Sequence, residues 1–192
     1  MVVTWIVGVQ GVASGFATAS FLRGGAIASV DPLSRGAGGE PLEYLVAVYA
    51  SAERLSLAEA YETAFPLAIA AVLLSGMLVL ASGLALAGRR GAQSFALQAI
   101  AANAGLAVLS YVLLEPVRAG AVAAALDAAR KVTLAPTEVA FASPTFWLWL
   151  GRVRLYVGEL AVLGAAAIAV TRPRARTYFR AAAEAIEQAE EP

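Results

Sequence analysis

Residues 64–114 read AFPLAIAAVLLSGMLVLASGLALAGRRGAQSFALQAIAANAGLAVLSYVLL, and this stretch decides the fold. Its only charged residues are Arg89 and Arg90, which divide it into two uncharged segments. The hydrocarbon core of a bilayer is about 30 Å thick, so about 20 apolar residues in a helix cross it. Each segment is long enough, and the short charged break predicts that the two helices form an antiparallel hairpin.

Two further segments of the chain have the same character. Residues 2–22 carry no charge, and residues 144–171 carry only Arg152, Arg154 and Glu159. Because lipid offers the backbone no hydrogen-bond partner, such segments must be helices. The sequence therefore predicts an all-α, polytopic integral membrane protein built as a four-helix bundle. The predicted membrane domain spans residues 1–171, with helices at about 2–22, 64–88, 92–114 and 144–171.

Composition narrows the functional classes. The chain is 60% hydrophobic and 15% charged, against about 45–50% and 25% in soluble domains. Its 14 basic and 14 acidic residues leave no net charge, so we expect no nucleic-acid partner. Cysteine and histidine are both absent, which removes disulfides, thiolate metal sites and histidine-ligated haem, zinc or di-iron. We predict no catalytic, metal or cofactor site, so an enzyme is the least expected class.

Two long connections link the apolar segments, and both contain helical patterns. Residues 42–49 repeat apolar side chains at helical spacing, and Ser56 with Glu59 forms a capping-box pattern that predicts another short helix before the second membrane segment. After Pro116 has ended the third membrane helix, the alanine-rich residues 117–132 predict a further helix. We expect these pieces to lie outside the membrane, along its surface or folded over the bundle.

Basic clusters near helix ends predict orientation, because Lys and Arg there are retained in the cytoplasm. Arg89 with Arg90, and the arginines within residues 172–180, place both termini inside and the long connections outside. Heavy use of Ala, Gly and Arg suggests a bacterial inner membrane. Residues 172–192 form a predicted cytoplasmic tail helix, which either docks on a partner surface or stays solvated. Its apolar face consists of Phe179, Ala183 and Ile186.

Glu159 is the first candidate functional residue, since it follows the predicted start of the fourth helix by fifteen positions. Ionisable groups at such depth usually face the bundle or an aqueous cavity. Arg152 lies seven residues earlier, nearly on the same helical face, with Tyr156 between them. Two interpretations remain open. Either this face is an ion or proton pathway, or Arg152 and Arg154 reach towards the interface while Glu159 bonds a neighbouring helix.

Small and polar residues on the first and third helices form the second candidate set. Gly8, Gly11 and Gly15 recur on the first helix at a spacing that lets another backbone approach closely. Gln10 on the first helix and Asn103 on the third are amides within apolar segments. Such groups usually cross-link helices, and the alternative role is to line a pore or a substrate pathway.

The layout resembles that of two known groups of four-helix membrane proteins. A short cytoplasmic hairpin with two outer connections is similar to tetraspan proteins such as claudins and connexin-like channel subunits, although their cysteines are missing here. Trp147, Trp149 and Arg152 at the start of the fourth helix resemble the small family that includes anthrone oxygenases. Neither resemblance carries a site residue across.

These observations predict a non-catalytic integral membrane subunit that packs into a homo-oligomer or a larger inner-membrane complex. The alternative is a small channel or transporter with an intramembrane pathway through Glu159 and Arg152. The expected partners are membrane lipid and copies of the chain or other membrane proteins. No cofactor is expected.

Overall fold

The computed structural model describes residues 2–24, 41–87, 89, 91–131 and 139–173, with positions 175, 177, 178, 181, 184 and 188 of the tail. Within these ranges the regular structure is helical and contains no strand, which confirms the all-α prediction. Four helices are long and apolar enough to cross a membrane, as predicted, and each lies within three residues of its predicted bounds. They are α1 (Val2–Gly24), α3 (Tyr61–Leu86), α4 (Ala92–Leu113) and the fourth apolar helix (Pro144–Thr171).

α3 and α4 pack against each other as a hairpin. The turn between them includes Gly91, whose φ of 74° lies in the left-handed region that favours glycine. The buried face of each helix consists mainly of small residues, which allow close approach of neighbouring backbones. These residues are Ala64, Ala68, Ser75, Ala81, Ser82 and Ala85 on α3, and Ala92, Ala96 and Ala99 on α4.

α1 packs against α3 along its glycines. A Cβ atom on Gly8 would lie 2.7 Å from a methyl group of Val79, and one on Gly15 would lie 3.0 Å from a methyl group of Val72. The contacts run in opposite directions along the two helices, so α1 and α3 are antiparallel. The separation of these backbones depends on residues without side chains. The structure thus places Gly8, Gly11 and Gly15 against a helix of the same chain.

Two shorter helices extend the hairpin at one end. α2 (Pro41–Glu59) leads into α3 across Ala60, and α4 leads into α5 (Glu115–Lys131) across Leu114. The ψ angles of Ala60 and Leu114 are 26° and 19°, far from the helical value of about −42°. The predicted helix start at Ser56 is wrong. Ser56 lies inside α2, which continues to its end at Glu59 and packs on α5.

α2 and α5 form a unit, here called the cap, together with the first turns of the fourth apolar helix. Leu45 on α2 is completely buried against α5, and Trp147 is 2% exposed. The Trp147 indole N–H donates to the Phe141 carbonyl oxygen at 2.9 Å. Its ring stacks on Tyr49 with 4.9 Å between ring centroids. The cap therefore has its own aromatic core.

The fourth apolar helix contains a change of helical type. Ser143 Oγ accepts a hydrogen bond from the Thr145 N–H at 3.2 Å, which confirms the predicted start. The chain then forms α6 (Pro144–Val153), a π-helical turn (Arg154–Leu160) and α7 (Ala161–Thr171) without interruption. Arg154, Gly158 and Glu159 of this π turn line the cavity that forms the candidate site, while Tyr156 and Val157 are exposed.

The bundle is closed at the end opposite the cap. The fourth apolar helix runs antiparallel to α4, and Gln93 Nε2 donates to the Val170 carbonyl oxygen at 3.0 Å. An apolar cluster fills the interior there, and Val7 of α1 packs against it. We call this region the sealed end. Its buried residues are Leu78, Ala81, Ala96, Ala99, Ile100, Leu163 and Val170.

Candidate functional site

A cavity of about 460 Å³ lies between the four apolar helices, on the cap side of the sealed end. This volume falls within the range of about 300–1,000 Å³ that small-molecule sites occupy. We call the cavity the vestibule. Most of its wall is apolar, and polar side chains from all four apolar helices interrupt that wall. They are Gln10, Ser14, Thr18, Ser75, Asn103, Ser110, Arg154 and Glu159.

Asn103 and Ser75 hold the hairpin together at the wall of the vestibule. Asn103 Nδ2 donates to the Leu74 carbonyl oxygen on α3 at 2.9 Å and to the Ala99 carbonyl oxygen on its own helix at 2.8 Å. Ser75 Oγ donates to Asn103 Oδ1 at 3.3 Å. Because both N–H groups of the amide are used, Asn103 links α3 to α4 and has no donor left for a ligand.

The π turn determines which side chains of the fourth apolar helix reach the vestibule. A π turn bonds residues five apart, whereas an α-helix bonds residues four apart. Arg154 and Glu159, five apart, both line the vestibule, together with Gly158. Arg152, Arg154 and Tyr156 are all exposed, and of these three only Arg154 lines the vestibule. The expectation that Arg152 and Glu159 share a helical face assumes an unbroken α-helix. The π turn is wider than an α-helical turn, so residues before and after it do not keep that relation.

Glu159 lies near mid-height of the bundle. Because Val170 lies beside Gln93 and the two helices are antiparallel, Glu159 falls at about the height of Ala104. Ala104 is close to the middle of α4. Arg154 lies about one turn nearer the cap. The vestibule thus has a carboxylate at its deeper level and a guanidinium towards the cap.

Arg154 and Glu159 have no charged partner in the described part of the protein. Neither forms a salt bridge within 4.0 Å, although they are one π turn apart. The side chains of Gln10, Ser14 and Ser110 also form no hydrogen bond with the described residues. Five groups with unused hydrogen-bonding capacity therefore converge on one cavity, and the hydrogen-bond partner expected for Glu159 on a neighbouring helix is not found there.

The vestibule opens sideways between α1 and the π turn. Gln10 and Ser14 on α1, and Gly158 and Glu159 on the π turn, are exposed although they line the cavity. At the sealed end, by contrast, Val7 brings α1 against the interior cluster that includes the fourth apolar helix. The cavity is therefore closed at one end and open on one side.

The described part of the tail contacts its own chain. Tyr178 Oη donates to the Leu86 carbonyl oxygen, at the end of α3, at 3.2 Å. The predicted apolar face, made of Phe179, Ala183 and Ile186, lies outside the described residues. The described contact attaches the start of the tail to the sealed end of the bundle.

Of the predicted site residues, the vestibule brings together Glu159, Gln10 and Asn103, and it adds Arg154. No sequence signal identified Arg154 as a lining residue, because a π turn has no periodicity that could be recognised in a run this short. Comparisons with protein family models, with curated proteins and with solved structures each return no match. The lining of the vestibule is therefore the feature of this protein that bears on its function.

Proposed function

We propose that the protein is a non-catalytic, multi-pass protein of a bacterial inner membrane that binds a small polar solute in the vestibule and carries it across part of the bilayer. The observation that supports this proposal is a pair of opposite charges on the wall of one cavity, Glu159 near mid-height and Arg154 about one turn nearer the cap, which have no charged partner among the described residues. An ionisable residue deep in a bilayer lowers the stability of the protein, so such a residue usually marks a binding site or a transport pathway. This role corresponds to the transporter alternative, with Arg154 in the place expected for Arg152.

The proposed placement has both termini in the cytoplasm and the cap outside. Arg89 and Arg172 both lie at the sealed end, and short basic connections favour the cytoplasmic side. The cap exposes the charged side chains of Asp127, Arg130 and Lys131 and buries an aromatic core, as a unit in water would. On this placement the vestibule communicates with the outer half of the membrane.

A carrier is preferred to a channel because the sealed end interrupts the path. In the described structure the apolar cluster around Leu78, Ile100 and Leu163 closes the bundle below Glu159. A continuous aqueous pore would need polar or open space there. We therefore expect no steady ionic conductance from the protein in a planar bilayer, and such a conductance would favour the channel.

A role as a membrane subunit is the second candidate, and the open side of the vestibule favours it. Lipid cannot solvate the exposed carboxylate of Glu159, so a neighbouring subunit there would cover it. The glycine face of α1, one of the features that favour association, contacts α3 of the same chain, and so does Tyr178 at the start of the tail. Native mass spectrometry from mild detergent tests this role, and a monomer would remove it.

Single-cysteine variants test the vestibule itself, since the chain contains no cysteine that would interfere. Ser14→Cys places a thiol on the vestibule wall with little change in volume. Gly105→Cys places one at a similar height on an exposed face of α4 with no atom within 4 Å. A thiol in lipid stays protonated and reacts slowly with a membrane-impermeant methanethiosulfonate, because the thiolate is the reactive form.

We expect Ser14→Cys in liposomes to react at least about tenfold faster than Gly105→Cys, because a polar cavity holds water and lipid does not. Ile100→Cys, inside the sealed end, serves as the buried control and should not react. If Ser14→Cys is as unreactive as Gly105→Cys, the vestibule does not admit water and the proposed function is wrong.

A further inference from the structure

The charges of the vestibule are arranged at two levels. Glu159 lies at the deeper level, at a height similar to that of Gln10 and Ser14 across the cavity. Arg154 lies one π turn nearer the cap, at about the height of Ser110. Each charge is thus accompanied by uncharged side chains that form no hydrogen bond with the described residues. A single ligand in the vestibule would therefore meet hydrogen-bond acceptors at the level of Glu159 and hydrogen-bond donors at the level of Arg154.

We propose that the vestibule binds a zwitterion, with a primary ammonium group at Glu159 and a carboxylate or phosphate group at Arg154. This inference rests on the proposed function and specifies the ligand for that site. The ammonium donates hydrogen bonds to the Glu159 carboxylate, while the Gln10 side chain supplies a further acceptor. The anionic group accepts from the guanidinium of Arg154, which is suited to planar carboxylate and phosphate groups, and from the Ser110 hydroxyl.

Ligands with one charge fit this arrangement less well. A lone cation at Glu159 leaves the guanidinium of Arg154 without a partner and is repelled by it from one helical turn away. A lone anion at Arg154 leaves the carboxylate of Glu159 without a partner and is repelled by it. A group that carries both charges neutralises both residues at once, in surroundings where an unpaired charge is unfavourable.

Two sources supply this chemistry, and the shape of the vestibule admits both. The open side between α1 and the π turn faces the surroundings of the apolar helices, so an aminophospholipid head group can enter while its acyl chains stay outside. A small free amino acid can enter through the same open side. The shared recognition is the pairing of ammonium with Glu159 and of the anionic group with Arg154.

Protection of Ser14→Cys against the impermeant methanethiosulfonate tests the inference. The soluble probes are alanine and phosphoethanolamine, with ethanolamine and inorganic phosphate as controls that carry one kind of charge. The lipid arm compares nanodiscs of phosphatidylethanolamine with nanodiscs of phosphatidylglycerol. We expect a zwitterionic probe to slow modification of the thiol at least about tenfold. The singly charged controls should change the modification rate less than about twofold. A tenfold effect corresponds to a free-energy difference of about 1.4 kcal/mol.

Matched substitutions then test whether both charged residues of the vestibule bind the ligand. In the Ser14→Cys background, Glu159→Gln and Arg154→Gln should each abolish protection, with each rate compared with that of the same variant without ligand. Arg152→Gln removes the same kind of charge from the same helix, outside the vestibule, and should retain protection. Protection that survives both vestibule substitutions overturns the inference.

The outcomes separate the inference from the proposed function. An unreactive Ser14→Cys rejects the vestibule as a solute site. A reactive Ser14→Cys that no zwitterion protects rejects the zwitterion and leaves the water-accessible vestibule in place. Protection by phosphatidylethanolamine without protection by alanine identifies the lipid source, and the reverse result identifies the free amino acid.

Discussion

The cap and the apolar bundle differ in the largest side chains that they bury and expose. In the cap, Leu45 and Trp147 are 0% and 2% exposed, while the charged side chain of Asp127 stays on the surface. In the bundle, the buried positions of α3 and α4 are mostly alanine and serine, whereas Leu73 and Leu80 are 63% and 64% exposed. The cap thus buries an indole against the alanine-rich face of α5, while the bundle has leucines on its surface as well as in the sealed end.

This difference reflects the surroundings for which each region is suited. In water, burial of apolar surface stabilises a fold by about 25 cal/mol per Å², so large side chains belong inside. In lipid an exposed leucine costs nothing, and close packing of small residues with interhelical hydrogen bonds holds helices together. The change falls at Ala60 and Leu114, where both helical runs bend. The following predictions test whether the two regions are stabilised in these different ways.

Trp147→Ala should give the largest loss. The indole is buried in the cap, stacks on Tyr49 and donates a hydrogen bond to Phe141, and removing such a side chain costs about 3–5 kcal/mol. Hydrogen exchange in detergent micelles should show faster exchange in α2 and α5, with α3 and α4 less affected. Trp149→Ala, at a position 59% exposed, is the matched control and should change little. Equal effects of the two substitutions would contradict an aromatic core in the cap.

Gly11→Leu should destabilise the bundle by about 1–3 kcal/mol, as overpacking does. A Cβ on Gly11 would overlap Ser75 Oγ, so α1 would have to move away from α3. Thermal unfolding in detergent measures the loss. Gly83→Leu on α3 is the control, because a Cβ there meets no atom within 4 Å. If both leucine variants melt like the wild type, α1 does not depend on glycine contact with α3.

Asn103→Ala should cost about 0.6–1.7 kcal/mol, the range measured for polar contacts between membrane helices. It removes two donated hydrogen bonds and the acceptor of Ser75 Oγ. Gln98→Ala, at an exposed position of the same helix, controls for loss of an amide and should have no measurable effect. A loss as large as that of Trp147→Ala would mean that the bundle is not stabilised mainly by small-residue packing.

Tyr49 should make the cap weaken slightly at alkaline pH. Burial, aided by the nearby carboxylate of Glu53, raises the pKa of Tyr49 in the folded protein. The folded state therefore holds the phenol proton more tightly than the unfolded state, so this contribution is complete below pH about 10 and is lost as the pH rises beyond it. Chemical unfolding of the cap from pH 8 to 11 should show the loss in the wild type. Tyr49→Phe should lack it, and an identical profile would contradict the buried phenol.

The sequence predicted the helices well, and the structure brings only some of the candidate site residues together in one cavity. The four apolar segments, the hairpin, the end of α4 before Pro116 and the start at Ser143 all depend on local chemistry, such as hydropathy, proline geometry and capping. Glu159, Gln10 and Asn103 were found because polar groups are conspicuous in apolar helices. Arg154 lines the vestibule and Arg152 does not, a difference that an α-helical period does not anticipate because the π turn interrupts it.

The sequence by itself therefore determined which segments are helices suited to lipid, because a bilayer demands length, apolarity and internal hydrogen bonds from each segment alone. Tertiary structure decided which helix faces meet. The glycines of α1 contact α3 instead of a second chain, and α2 pairs with α5 as a cap. Arg154 and Glu159 share a cavity because of how α1, the hairpin and the π turn pack. Such contacts depend on the relative rotation of several helices, which the composition of any one of them leaves open.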